Sequence, residues 1–207
     1  MNFTESRKEM VTRLMSQGII QTSAVADAML TIPRHVFVPL AHQNQAYQDL
    51  PLSIGQEQTI SAPHMNAMMC EHLDVHPGMQ VLEIGTGSGY HAALLSHLVG
   101  PSGRVFTVEC IPFLAENAQK FFKVLKIENI SVNIDDGTMG WQKNAPYDRI
   151  LVTAVGPTIP QPYIDQLSNE NGKICIPVGD RFFDQVLWLG EKIEDQLHKS
   201  RICGVRF

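Results

Sequence analysis

The sequence predicts an α/β protein built on a doubly wound, mostly parallel sheet, with antiparallel strands at its C-terminal end and a helical extension at its N-terminus. Three observations carry this expectation. Residues 81–84 form a β-branched and apolar run that breaks at Gly85, Gly87 and Gly89 and resumes as the apolar stretch 92–98, which is the order strand, tight turn, helix. About twenty residues beyond the last glycine a second strand candidate, 104–108, closes on an acid, Glu109. Strand and helix candidates alternate as far as residue 178, and then two strand candidates follow with no long helix between them, which calls for antiparallel pairing.

The bulk properties suit one enzyme-sized domain spanning 1–207. A chain of 207 residues buries roughly 70% of its unfolded surface and needs no staples. The 16 basic residues against 21 acidic ones give a net charge of −5, and the absence of long like-charge runs argues against a nucleic-acid partner. Cys70, Cys110, Cys175 and Cys203 lie far apart in apolar sequence, so they read as reduced core thiols of a cytoplasmic protein. No apolar run reaches the length of a membrane span, and the polar start lacks a signal-peptide core. His72 and His76 are four apart, but Pro77 and Gly78 end the helix and no third ligand is suitably spaced, so no metal site is expected.

In chain order, a first helix is expected from Thr4, as N-cap, to Gln17, with Gly18 past its end. A second, 24–31, is capped by Ser23 and stops before Pro33, and the pair should form a small lid or brace. Two prolines limit 32–39 to a turn or two, so Arg34 and His35 read as a surface turn pinned by Val36 and Phe37 and stay outside the site. A loop from Asp49 to Pro63 leads into a helix with the apolar face Ala67, Met68 and Leu73, capped by Ser61 or Ala62. That helix tip, with free N–H groups and the Ser61 hydroxyl beside Gln58 and Thr59, attracts a carboxylate.

The loop after the first sheet strand reads G-x-G-x-G, with Tyr90 where a dinucleotide fingerprint has its third glycine. Without that glycine the close helix approach that makes room for a pyrophosphate is lost, and a nucleoside ligand fits better. Glu109 can then accept both ribose hydroxyls. With Glu83 before the loop, the pattern resembles motif I of class I S-adenosylmethionine-dependent methyltransferases and implies a Rossmann-like core over 59–207, with 1–58 as the extension.

Further on, Pro112 opens a helix over 113–126 with Leu114, Ala118, Phe121, Phe122 and Leu125 at core spacing. Strand 130–134 runs into Asp135, Asp136 and Gly137, which by themselves read as an Asx turn. Strand 147–153, a loop over 154–157, helix 160–167, and strands 172–178, 185–190 and 200–207 complete the chain.

Residues 59–65, T-I-S-A-P-H-M, preceded by D-L-P-L-S-I-G and followed by V-L-E-I-G-T-G-S-G-Y, are similar to the protein-L-isoaspartate O-methyltransferase family, as are Asp136-Gly137, A-P-Y-D at 145–148 and G-K-I-C-I-P-V-G at 172–179. The resemblance implies an enzyme that methylates the α-carboxylate of L-isoaspartyl residues in damaged proteins or peptides, starting their repair to aspartyl. It implies S-adenosyl-L-methionine as cofactor, held by Gln58, Thr59, Ile60, His64, Glu83, Gly85, Thr86, Gly87, Gly89, Glu109, Asp136, Gly137 and Thr153, with Asp136 against the adenine. Ser61 becomes the catalytic residue, an orienting donor and not a nucleophile. Members often carry a glycine where this chain has Glu57, and usually run on past the strand ending at Phe207. Two other functions stay open: a carboxylate O-methyltransferase of peptide tailoring, and a non-catalytic cofactor- or partner-binding module. Neither a nucleic acid nor a membrane is expected as partner, and a monomer is expected.

Overall fold

The computed structural model describes residues 2–180 and 184–207, and its first two helices start earlier than the sequence implies. Helix α1 (Phe3–Ser16) is capped by Asn2, whose Oδ1 accepts from the Glu5 amide at 3.3 Å, so Thr4 lies inside the first turn. Helix α2 (Ser23–Thr31) is capped by Thr22, which accepts from the Val25 amide at 3.3 Å, and Ser23 is already helical. Adjacent cap-competent residues are chemically equivalent on paper, and the backbone turn selects between them. Met10, Val11, Leu14, Val25 and Met29 are buried, and α2 packs on the helix that follows the glycine loop, so the pair is a brace.

The segment after α2 makes a 3₁₀ turn at Arg34–Phe37 with Phe37 buried. Arg34 is not on the surface: its side chain is wholly buried, which corrects the surface-turn expectation. The expected loop before Pro63 holds a hairpin of β1 (Leu52–Gly55) and β2 (Gln58–Ile60), pairing Leu52 with Ile60 and Ser53 with Thr59. Its two-residue turn, Gln56 and Glu57, has φ of +53° and +58°, the mirror-image geometry that matches strand twist. No Asn-Gly or Asp-Gly pair announces it. Helix α3 (Pro63–Leu73) has Ala62 at its cap position with no side-chain cap bond, and it ends at a left-handed Asp74. His76 therefore lies off the helix and bonds Asp74 at 2.9 Å.

The remaining elements are β3 (Gln80–Ile84), α4 (Tyr90–Val99), β4 (Arg104–Glu109), α5 (Pro112–Val124), β5 (Ile130–Ile134), β6 (Arg149–Val152), α6 (Gln161–Gln166), β7 (Lys173–Val178), β8 (Gln185–Ile193) and β9 (Gln196–Val205). Seven strands form one sheet in the order β5-β4-β3-β6-β7-β8-β9. The first five are parallel; β8 and β9 are antiparallel to their neighbours and joined by a second two-residue turn, Glu194 and Asp195, also at positive φ. The chain steps outward from β3 to β5 and returns to β6 on the other side of β3. That reversal opens a crevice at the carboxyl ends of the strands.

Alternation along the strands divides the core between the two sheet faces. Val81, Val105, Leu151, Cys175 and Leu187 join the cluster packed under α1 to α5. Leu82, Ile84, Val108, Ile150, Val152, Ile174 and Ile176 join the other, covered by Tyr147, Trp141 and the short α6 with Tyr163. The sheet is wound on both faces, but unequally. Cys70 and Cys175 are buried and Cys203 half-buried, whereas Cys110 is exposed because it is the first residue past the end of β4.

The turn at Glu57 yields a stability prediction. A left-handed backbone costs a side-chain-bearing residue about 1–2 kcal/mol, partly offset in glycine by unfolded-state entropy. Glu57→Gly is expected to stabilise by about 0.5–1 kcal/mol, a rise in Tm of about 1–4 °C for a domain of this size. An unchanged or lower Tm in thermal unfolding would mean that the Glu57 side chain contributes more than its backbone costs.

Candidate functional site

A cavity of about 580 Å³ opens where the carboxyl ends of β3, β4, β6 and β7 face the tip of α3. That volume suits a nucleoside-sized ligand with part of a second molecule beside it. Of the residues singled out in the sequence, Gln58, Thr59, Ile60, Ser61, Gly85, Thr86, Gly87, Glu109, Asp136, Gly137 and Thr153 line it. His64, Glu83 and Gly89 do not.

The glycine loop is held from two sides. Gly85, at φ +94°, passes so close to β6 that a Cβ would sit 2.4 Å from the Thr153 hydroxyl oxygen. That hydroxyl donates to the Gly85 carbonyl at 2.7 Å, so Thr153 clamps the loop. On the other side the Gly87 amide donates to Glu109 Oε2 at 2.8 Å, and the Ile111 amide donates to Oε1 at 3.0 Å. The Cys110 thiol also donates to Oε1 at 3.7 Å, a weak bond that a ligand hydroxyl can displace, whereas Oε2 keeps a second acceptor position for a ligand hydroxyl. At Gly137 a Cβ would meet Ile84 Cγ2 at 2.7 Å, so only glycine lets the main chain pass there. Asp136 Oδ1 accepts from the Thr138 amide at 2.9 Å, which is the Asx turn read from sequence, and the residue borders the cavity as well.

The opposite end is built on a buried cation. Arg34 donates from Nε to the Ala46 carbonyl at 2.8 Å, from Nη1 to Asn66 Oδ1 at 3.1 Å and from Nη2 to the Ser61 carbonyl at 2.8 Å, and its guanidinium lies 5.1 Å from the centre of the Tyr90 ring. Burial pulls its pKa down to about 10, which leaves it charged at neutral pH. Asn66 Nδ2 bonds His91 Nδ1 at 3.2 Å, and burial, reinforced by the Arg34 charge, pushes His91 down to about 3, so the ring is neutral. The Ser61 hydroxyl has no partner among the described residues and does not cap α3. It remains available to a ligand. The cavity thus has a carboxylate at the nucleoside end and a cation behind the serine end.

The model of the protein-L-isoaspartate(D-aspartate) O-methyltransferase family matches residues 5–207. The chain belongs to that family. A protein-L-isoaspartate O-methyltransferase of Methanopyrus kandleri is 51% identical over 99% of this chain and 91% of its own length. Protein-L-isoaspartate O-methyltransferase 2 of Archaeoglobus fulgidus is 49% identical over 100% of this chain and 93% of its own. Among solved structures, a protein-L-isoaspartate O-methyltransferase superposes with a TM-score of 0.86 at 32% identity, covering 97% of this chain; this chain spans 64% of that protein. A Plasmodium falciparum protein of the same description, in complex with S-adenosyl-L-homocysteine, gives a TM-score of 0.86 at 27% identity over 97% and 96% of the two chains.

Within this methyltransferase frame the three expected residues outside the cavity have other work. His64 turns back to Asp49, whose Oδ1 accepts from both its backbone N–H and its ring Nδ1 at 2.9 Å. The helix tip does attract a carboxylate, and it is the chain's own. Gly89 is the cap residue just before α4, and a Cβ there would meet the Phe122 ring at 2.8 Å and Ala118 at 2.9 Å, so it admits α5. The close approach at Gly89 is thus that of α5, while position 90 keeps the Tyr90 side chain where a dinucleotide fingerprint has glycine. Glu83 lies wholly buried beneath the loop, where Thr107 donates to Oε2 at 2.6 Å and Oε1 has no partner among the described residues.

Sequence reasoning missed Asn66, Ser88, His91, Cys110 and Tyr163 on the cavity wall. Asn66 and His91 had a signal: each is a polar residue within an otherwise apolar helical face. Tyr163, whose hydroxyl donates to the Gly137 carbonyl at 3.0 Å, had none.

Burial pushes the Glu83 carboxyl up to about 8 from an ordinary 4.5, against the Thr107 hydrogen bond and helped by the Glu109 charge. Between those pH values the folded protein keeps a proton that the unfolded chain has released, so the contribution is full below the lower value and is lost as pH rises toward the upper. Compared with Glu83→Gln, which cannot titrate, the native protein is expected to lose up to about 1.4 kcal/mol of stability per pH unit across that window. Thermal unfolding at several pH values reads this directly; parallel Tm curves for the two proteins would refute it.

Proposed function

We propose that this chain, acting as one S-adenosylmethionine-dependent methyltransferase domain over 1–207, methylates the α-carboxylate of L-isoaspartyl residues in damaged proteins or peptides. The observation that carries the proposal is the unpartnered Ser61 hydroxyl on the wall of the same cavity as the glycine loop and Glu109. The residues fit S-adenosyl-L-methionine: Glu109 offers acceptors for a ribose, and Asp136 with Gly137 frames an adenine edge. The bound cofactor supplies a methyl group on a positively charged sulfur.

The acceptor carboxylate is already ionised at neutral pH, so no general base is required. With the cofactor bound, one carboxylate oxygen would take the methyl group, and the electron pair of the broken C–S bond would stay with sulfur. The residues of this chain orient the two partners and exclude water, effects that lower such barriers by roughly 7–11 kcal/mol. Ser61 donates to the acceptor carboxylate and aims it. The methyl ester is then attacked at its carbonyl by the amide nitrogen of the following residue, methanol leaves, and the succinimide so formed takes up water and reopens in part to aspartyl. Four unpaired cysteines suit a reducing, cytoplasmic location, and the chain is proposed to work as a monomer.

A methyl-transfer assay with an isoaspartyl peptide and its aspartyl twin tests the function: only the former is expected to be methylated, and equal rates, or none, would overturn it. Ser61→Ala is expected to cut turnover while cofactor affinity stays within about threefold; equal loss of both would assign Ser61 to structure. Glu109→Ala is expected to weaken cofactor binding by about 1.5–3 kcal/mol, and an unchanged Kd would remove Glu109 from the site.

A further inference from the structure

A guanidinium that is wholly buried normally has an acid for company. Arg34 has none: it takes part in no ion pair among the described residues. Its hydrogen-bond partners are three neutral oxygens, those of Ala46, Ser61 and Asn66, and the Tyr90 ring, Tyr47 and the neutral His91 lie around it. Asp49 contributes some attraction from a distance, but its Oδ1 is already engaged by His64 at the start of α3. Of five guanidinium N–H donors the hydrogen bonds to protein account for three.

Two of the three oxygen partners, Ser61 and Asn66, are themselves cavity-lining residues. The positive charge therefore stands one residue behind the wall at the serine end, in surroundings that screen it poorly. We infer that Arg34 is the charge-selecting and positioning residue of the acceptor site: it fixes the Ser61 main chain and supplies the positive potential that makes the cavity choose a free carboxylate. This rests on the methyl-transfer reading above.

The chemistry gives the inference a direction. The carboxylate is negative when it binds, loses charge as the methyl arrives and is neutral as the ester. A fixed cation therefore favours bound acceptor over both the reacting state and the product. Its removal acts on KM more than on kcat and leaves the affinity for the neutral ester little changed.

The test compares binding of an isoaspartyl peptide bearing a free α-carboxylate with that of its α-carboxamide analogue, by calorimetry in the presence of S-adenosyl-L-homocysteine. Native protein is expected to prefer the carboxylate by at least about tenfold. Arg34→Gln, which keeps N–H donors without charge, is expected to lose most of that preference and to raise KM more than it lowers kcat. Arg34→Lys, which keeps the charge, is expected to hold the preference within about threefold, with the Kd of S-adenosyl-L-homocysteine little changed in both. A role confined to structure would lower Tm and weaken both peptides alike, leaving the preference intact in Arg34→Gln, and that result overturns the inference. Should Arg34→Gln fail to fold, Arg34→Lys decides: a folded lysine variant without the preference overturns it, and one that retains it supports it. Native protein that binds neither peptide would instead overturn the methyl-transfer reading, a separately recognisable outcome.

Discussion

The grip of the Glu109 carboxylate on two backbone amides, Gly87 from one loop and Ile111 from the next, is the constraint on which the cavity depends. A carboxylate that accepts main-chain N–H groups from both sides fixes the distance between the ends of β3 and β4 at the level of individual atoms. The Thr153 hydroxyl does the same between β3 and β6 by holding the Gly85 carbonyl. With those two fasteners in place the glycine loop has no freedom to sag into the crevice, and the space left above it is a property of the fold. Gly85 and Gly137 are glycines for the same reason, since a Cβ at either would strike a neighbouring side chain before any ligand arrived.

The opposite wall follows a different logic. Around the glycine loop the protein uses backbone dipoles and one acid, which suit a ligand with hydroxyls. Around Ser61 it uses a buried guanidinium dispersed over three carbonyl-type oxygens and an aromatic face. Burial of an unpaired charge is destabilising on its own, so its retention at this spot is best understood through what it faces. The neutral His91 ring and Asn66 complete the hydrogen bonding without adding competing charge.

Much of this was legible in the sequence because it is local. The period of the strands, the G-x-G-x-G spacing, the acid at the end of the second sheet strand and the proline that opens α3 each declare themselves within a few residues. What escaped was whatever depends on distant partners or on a backbone choice between equals. The caps moved from Thr4 to Asn2 and from Ser23 to Thr22 because neighbouring residues share the same chemistry. The β1–β2 hairpin was hidden because Gln56 and Glu57 adopt a left-handed geometry that normally calls for asparagine or glycine. Arg34 looked like a surface residue because its acceptors, at Ala46, Ser61 and Asn66, lie 12 to 32 positions away. The bonds from His64 to Asp49 were hidden because Asp49 lies fifteen residues earlier in the chain.

The stacking of Arg34 on Tyr90 has a consequence for how the molecule assembles. The guanidinium belongs to the first forty residues, yet its aromatic floor is the first residue of α4, contributed by the segment that follows β3. A chain leaving the ribosome N-terminus first cannot finish its serine-bearing wall until the central strand and its glycine turn have emerged. The segment that carries Arg34 therefore settles on its aromatic floor only after the later stretch has been made.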